Sequence, residues 1–408
     1  MRLRLIASAV IFLSLPAHAV DQGVSIETWG DLYVQGEPSA QSWFRFAYIL
    51  DAHLHRTVFV KLAALIERDS HGDIARDVLY DADDRDLKRA AMRFRDLTLG
   101  FRAGEVTVLL GRQRLTWART TFVNATDNLT PRDWTDPLAE VRLSPLAADV
   151  TWEHERWHAE GALVPRYAPS RLPQLGGRWF AFPAEIEPSW GSASFPPVSW
   201  NTLQGALRGG YRGSRGEARV SYFRGYDDAE RLTPRFGPPD PLTGVVPVAL
   251  DRSFPRLVVT GLDGEFLAAS WIVRGEAGYF HYPDGGDGFL LYQLEAEWSR
   301  GPWRALAGFG DTVGGGATAV AATSLDAAYL PAIFVAGTYG EATEWQVELT
   351  ATVGTKGGDS LLRASGSYPF AGHVRVGGEI DLMAGGAATF WGRWRDNDRM
   401  RVFVKLDF

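Results

Sequence analysis

Along most of this chain, apolar and polar side chains alternate with a period of two. That confines the chain to strands with two unlike faces. In residues 56–67, Val58, Val60, Leu62, Ala64 and Ile66 share one face, and Thr57, Lys61 and Glu67 the other. In 289–299, Leu290, Tyr292, Leu294, Ala296 and Trp298 oppose Gln293, Glu295, Glu297 and Ser299. The same split recurs in 344–353, where Trp345, Val347 and Leu349 oppose Glu344, Gln346 and Glu348, and in 373–382, where Val374, Val376 and Ile380 oppose Arg375, Glu379 and Asp381. Each run is about ten residues, the length a tilted strand needs to cross a bilayer.

Connections between the runs alternate short and long. Turn formers mark the short ones: Arg102-Ala103-Gly104, Gly213-Ser214-Arg215-Gly216, Asp263-Gly264, Arg300-Gly301-Pro302 and Pro369-Phe370-Ala371-Gly372. The long ones cover residues 68–87, 114–146, 167–201, 226–254, 282–288, 313–324 and 383–398. This pattern predicts an all-β fold, a transmembrane antiparallel β-barrel of about 18 strands (roughly 16–20), with short periplasmic turns and long extracellular loops. A soluble sandwich would need a second sheet against its apolar face, and no blade-like repeat supports a propeller. Tyr48, Tyr279, Trp298 and Trp345 mark apolar faces that begin or end in aromatics, as at a lipid interface.

The N-terminus predicts export. Met1-Arg2-Leu3-Arg4 is basic, Leu5 to Leu15 is apolar but too short to span as a helix, and Ala17-His18-Ala19 reads as a cleavage site. Residues 1–19 are thus expected to be a signal peptide and 20–408 a single barrel domain. The 408 residues include no cysteine, which removes a disulfide scaffold, a thiolate metal site and a cysteine nucleophile. A formal net charge of −7 argues against nucleic acid as partner.

The chain closes on Arg401-Val402-Phe403-Val404-Lys405-Leu406-Asp407-Phe408, with Val402, Val404, Leu406 and Phe408 on one apolar face. This ending resembles the signal by which the barrel assembly machinery of Gram-negative bacteria engages its clients. The chain as a whole resembles Gram-negative outer-membrane β-barrels of the porin-like and alginate-export-like kind. Two local runs are similar to features of one group of large barrels. They are Phe390-Trp391-Gly392-Arg393-Trp394-Arg395-Asp396-Asn397-Asp398-Arg399, and Gly111-Arg112-Gln113-Arg114-Leu115-Thr116-Trp117 followed by Asn124 to Asp133. The resemblance implies a location in the outer membrane, among its lipids and lipopolysaccharide. It implies passive or facilitated passage of a small or amphipathic solute. A role in lipid or polymer export, or as a structural or adhesive barrel, are the alternatives.

Both signs of charge are expected inside, where water solvates them. The acidic set is Glu276, Glu295, Glu297, Glu344, Glu348, Glu379 and Asp381; the basic set includes Lys61, Arg274, Arg304, Arg375, Arg401 and Lys405. Such residues either order water and select solutes or pair across strands to stiffen the wall. Loop 114–146 is the candidate constriction. Arg112, Arg114 and Arg119 precede Asp127, Asp133 and Asp136, with Trp117, Phe122 and Trp134 as possible anchors to the wall. Asp127, Asn128, Asp133 and Asp136 lack the EF-hand spacing, and no metal or other cofactor is expected. Loop 167–201, rich in Trp and Phe, is expected to pack on itself, and loop 226–254, rich in proline, to be ordered. No Gly-x-Ser-x-Gly elbow or His-Glu-x-x-His occurs, and His154 and His158 face each other across a hairpin, so no enzyme is predicted.

Overall fold

The computed structural model describes residues 19–35, 39–139, 141–180, 182–315, 328–341 and 343–408. The expected signal peptide lies outside the described residues except for Ala19, where the first strand begins; residues 316–324 of the expected loop 313–324 also lie outside them.

Eighteen strands form one sheet. We number them β1 (Ala19–Tyr33), β2 (Ala40–His55), β3 (Val58–Asp69), β4 (Met92–Ala103), β5 (Val106–Arg112), β6 (Leu146–His154), β7 (Trp157–Val164), β8 (Gln204–Arg212) and β9 (Gly216–Tyr226). The second half is β10 (Arg256–Ala268), β11 (Trp271–His281), β12 (Phe289–Arg300), β13 (Trp303–Gly314), β14 (Ala332–Gly340), β15 (Gln346–Gly354), β16 (Ser360–Ala371), β17 (Val374–Ala384) and β18 (Arg399–Asp407). Each pairs antiparallel with its sequence neighbours, and β1 pairs with β18 from Ser25↔Asp407 to Tyr33↔Arg399, which closes the ring.

The alternation read from the sequence becomes the two faces of this wall. In β12, Leu294 is 59% exposed, whereas Gln293 and Glu295 beside it are buried inside. In β18, Val402, Val404, Leu406 and Phe408 lie on the outer face, and Arg399 and Arg401 point inward to ion pairs. At the end with the short turns, outward aromatics cluster: Trp303 meets Tyr339 at 4.4 Å, and Tyr339 meets Trp345 at 5.0 Å. These ring faces and polar edges suit a membrane–water boundary.

Most expected turns fall where hairpins close, but Asp263-Gly264 does not. It lies inside β10, and the chain turns instead at Ala269-Ser270. Asp263 points inward to Arg119, and a Cβ on Gly264 would come within 2.9 Å of the Glu217 carbonyl oxygen. Here the glycine permits close strand approach rather than a reversal.

Eighteen strands spaced about 4.8 Å apart and tilted by about 40° give a backbone ring roughly 35 Å across. Inward side chains cannot fill such a bore, so the loops occupy it. Residues 186–194, 246–253 and 231–236 make a separate three-stranded sheet at the loop end, the first two running parallel. Loop 165–203 packs on itself and its neighbours as expected: Phe180 stacks on Phe182, Phe195 on Phe254, and Trp179 meets Trp394. The Phe390–Arg399 run explains itself here. Phe390, Trp391 and Trp394 are buried together, the Trp394 indole donates to the Trp179 carbonyl (3.1 Å), and the Trp391 amide donates to Asp359 (2.7 Å).

Placing a charge on the outer face tests the orientation of the wall. Leu294→Arg, near the middle of β12, is expected to destabilise the barrel by about 2–4 kcal/mol in bilayer refolding titrations, whereas Ser365→Arg on the inner face of β16, where the strand partners are Glu348 and Glu379, should cost far less. Equal costs would contradict the assignment of faces.

Candidate functional site

Loop 113–145, between β5 and β6, enters the bore and is fastened at both sides. On one side it meets the inner faces of β9 to β12. The amides of Arg119 and Thr120 donate to Glu276 Oε2 (3.0 and 3.2 Å), and the amide and hydroxyl of Thr126 donate to Oε1 (2.6 and 2.8 Å). Thr121 bonds Glu295 through its amide (2.8 Å) and hydroxyl (3.1 Å), and the Val123 amide donates to Gln293 (2.7 Å). The Arg119 guanidinium spans Glu217 (2.5 Å) and Asp263 (3.2 Å). Further along β7, the Trp117 indole donates to Glu160 (2.6 Å).

The far end of the loop meets another part of the wall. Asp136 Oδ2 accepts from Arg399 (2.7 Å) and Arg401 (3.0 Å) of β18. Arg399 in turn holds Asp381 (2.7 Å), and Arg401 holds Asp31 of β1 (2.6 and 2.8 Å). Arg363 of β16 donates to the Leu138 carbonyl (2.7 Å). Between these ends, Asp133 accepts from Arg89 (2.8 Å) and Arg171 (2.7 Å), which come from two neighbouring loops. The strands that hold its two ends by hydrogen bonds, β9 to β12 and β18, lie six to nine places apart in a ring of eighteen, so the loop joins well-separated parts of the wall.

Apolar packing supports the polar bonds. Val123 and Ala125 are buried against Phe223, Val259, Phe280, Phe289, Leu291 and Phe334, all on the inner face, and Phe122 stacks on Phe334 (4.6 Å). Parity already carries a signal for this patch. Apart from Leu267 and Ile272 beside a short turn, the large apolar residues on the inner face of these strands gather in the loop-end halves, so something other than water must cover them.

The expected site residues divide accordingly. Glu276, Glu295, Arg119, Asp133 and Asp136 are anchors. Arg274 pairs with Glu295 (3.2 Å) and Glu297 (2.8 Å), and Glu379 faces Arg399 (3.4 Å). Arg112 is buried against Asp84 and the carbonyls of Ala82 and Ser144, so it ties two loops together instead of facing the lumen. Asp127 is buried beside Arg142. Glu348 faces inward next to Thr350 (3.3 Å), and Arg375 donates to Ser367 (3.1 Å) near the turn end. Glu344 is not on the wall: it sits in the turn between β14 and β15, because the alternation it shares begins two residues before the strand does. Trp134 lies under Arg132 and lines a small cavity with Tyr226, Phe280 and Phe289 of the wall. Arg114 is exposed, close to Arg95 and Arg93 of β4. The four residues weighed for calcium are apart, with Asp127, Asp133 and Asp136 each held by different arginines.

Three solved barrels share this fold at low identity. Acinetobacter baumannii OccAB4 aligns with a TM-score of 0.56 and 10% identity over 97% of this chain and 99% of its own. OccAB3 of the same organism gives 0.55 and 10% over 95% and 99%. A BenF-like porin from Pseudomonas fluorescens gives 0.54 and 11% over 96% and 98%. No protein-family model and no curated protein matches the sequence. The fold is that of an outer-membrane porin barrel.

The anchors make two predictions. Glu276→Ala leaves three amides of the loop without their acceptor; at about 1–3 kcal/mol for each buried unpaired group, amide exchange at Arg119, Thr120 and Thr126 should rise at least tenfold. Unchanged protection there would contradict the anchoring. Burial pushes the Asp133 and Asp136 carboxyls up, but Arg89 and Arg171 at the first, and Arg399 and Arg401 at the second, outweigh it and hold both well below the ordinary range. Their stabilisation is complete above the unfolded carboxyl value of about 4 and is lost only as pH falls through the depressed folded values. Amides 132–138 should therefore keep their exchange protection, corrected for intrinsic rate, from pH 7 down to 4; release between pH 6 and 4 would contradict it.

Proposed function

We propose that the chain is an outer-membrane channel that lets a small or amphipathic solute pass, passively or by facilitated diffusion, through a lumen narrowed by loop 113–145. The observation that carries this reading is the double fastening of that loop, to Glu276 and Glu295 on one side and to Arg399 and Arg401 on the other. A loop held across a wide bore divides it into narrower passages, and charged walls then select what enters. The many ion pairs on the inner wall neutralise one another, so selectivity falls to groups outside them. Arg114 is exposed on this loop; its neighbours Arg93 and Arg95 pair with Glu67 (2.7 Å) and Asp96 (3.3 Å), so the Arg114 guanidinium is the cation left to favour anionic solutes there.

In this reading the turn end faces the periplasm and the loop end the exterior, with lipid and lipopolysaccharide around the outer face. Residues 1–19 direct export and are removed after Ala19. The β18 strand, with Val404, Leu406 and Phe408 outward, is the element the barrel assembly machinery engages; its partner edge in the finished barrel is β1. No covalent chemistry is involved.

Planar-bilayer recording tests the proposal. Reconstituted protein should give steady unitary conductance steps, and silence would favour a structural barrel. Arg114→Ala should move the reversal potential in a salt gradient toward cations while leaving the β-sheet circular dichroism unchanged; an unmoved potential would take Arg114 out of the pathway.

A further inference from the structure

Loop 70–91 starts with a feature that the transport proposal does not use. Asp69 ends β3, and the chain continues Ser70-His71-Gly72-Asp73. The His71 Nε2 atom lies 3.1 Å from Asp73 Oδ2 and 3.5 Å from Asp69 Oδ2, and one ligand atom from each of the three falls within 4.8 Å of the others. Gly72 makes the convergence possible. Its φ of +94° reverses the chain between His71 and Asp73, so both side chains turn to the same point as Asp69.

We propose that Asp69, His71 and Asp73 form a binding site for a divalent first-row transition metal, zinc first among them. Zinc binds imidazole nitrogen and carboxylate oxygen at about 2.0–2.2 Å, which puts tetrahedral ligand atoms about 3.4 Å apart. The two separations from Nε2 bracket that value. A single Nε2 hydrogen can be donated to one carboxylate at full strength, whereas a cation at this point serves both. Asp133 and Asp136 of loop 113–145 meet guanidinium groups, while Asp69 and Asp73 converge on an imidazole.

The surroundings suit a ligand site. Asp69 accepts from the amides of Gly72 (3.2 Å), Asp73 (2.7 Å) and Ile74 (3.1 Å), so its carboxylate is fixed in place before any ion arrives. The His71 side chain is 9% exposed and stands edge-on to Trp43 of β2, ring centres 4.6 Å apart, which sets its orientation. Beyond the cluster opens a cavity of about 430 Å³, lined also by Asp31, Gln41, Thr135 and Gln174. It leaves room for a water or an exogenous group in the fourth position, as in an open zinc site. An imidazole ligand favours zinc over calcium or magnesium, which prefer oxygen alone.

The test uses the full chain, folded in detergent and stripped with a chelator. Isothermal titration with zinc chloride should give one equivalent bound, with calcium chloride failing to compete. His71→Ala and Asp73→Asn should each weaken zinc binding at least tenfold; both leave the amide bonds to Asp69 intact, and heat-modifiable migration on gels reports whether the barrel has formed. X-ray absorption on the zinc-loaded wild type, which needs no variant, should show one imidazole nitrogen and a remainder of oxygens. Absence of zinc binding, wild-type affinity in both variants, equal uptake of calcium, or a shell of several imidazoles would each overturn the proposal.

Discussion

Everything in this fold depends on the requirement that no strand in an apolar surrounding leave its backbone unpaired. An open sheet with an apolar outer face would present a row of bare N–H and C=O groups at each edge, each costing several kilocalories in hydrocarbon. The ladder between β1 and β18 removes both edges at once. It also joins the first and last strands of the sequence, the pairing with the largest chain separation. Once the ring is closed, side-chain parity is fixed for every strand. The charged residues have one place to go.

That place is wide, and its width explains the loops. A ring of eighteen strands leaves a bore that side chains cannot span, so residues 113–145 lie across it. The way this loop is held follows from the wall it meets. Strands that show oil outside must show polar groups inside, and polar groups hold a loop best when each buried carboxylate finds a donor. Glu276 finds backbone amides and Asp136 finds two arginines. Removing one partner from a buried ion pair of this kind costs about 3–5 kcal/mol, because the other charge stays behind unpaired. The loop is therefore a fixed part of the wall rather than a tethered flap.

Much of the wall was legible in the sequence because a strand advertises its two faces every second residue. The outward set Leu290, Tyr292, Leu294 and the inward set Gln293, Glu295, Glu297 needed nothing beyond counting. The misreadings have local causes. Asp263-Gly264 has the composition of a hairpin turn, but a glycine is equally what a strand uses where a neighbour's carbonyl comes within contact, and composition does not separate the two. Glu344 shares the alternation of β15 although the strand begins after it, because periodicity fades across strand ends without marking them. Arg112 stands two residues from Arg114, yet the two differ in surroundings: one is buried among loop carbonyls, the other open to water.

The partners of the loop were harder to read, for a reason of distance. Arg119 meets Asp263, and Asp136 meets Arg399, across separations that local patterning does not encode. What the sequence does contain is the complement. Phe223, Val259, Phe280, Phe289, Leu291 and Phe334 sit on the face that should be wet, all near the loop ends of consecutive or nearby strands. Each alone is an unremarkable phenylalanine or aliphatic residue. Together they mark a part of the inner wall that must be covered, and the long insertion that follows β5, carrying Leu115, Trp117, Val123 and Ala125, supplies the apolar surface to cover it. Breaks in parity on the inner face thus locate the footprint of an inward-folded loop, while the charges decide how it is fastened there.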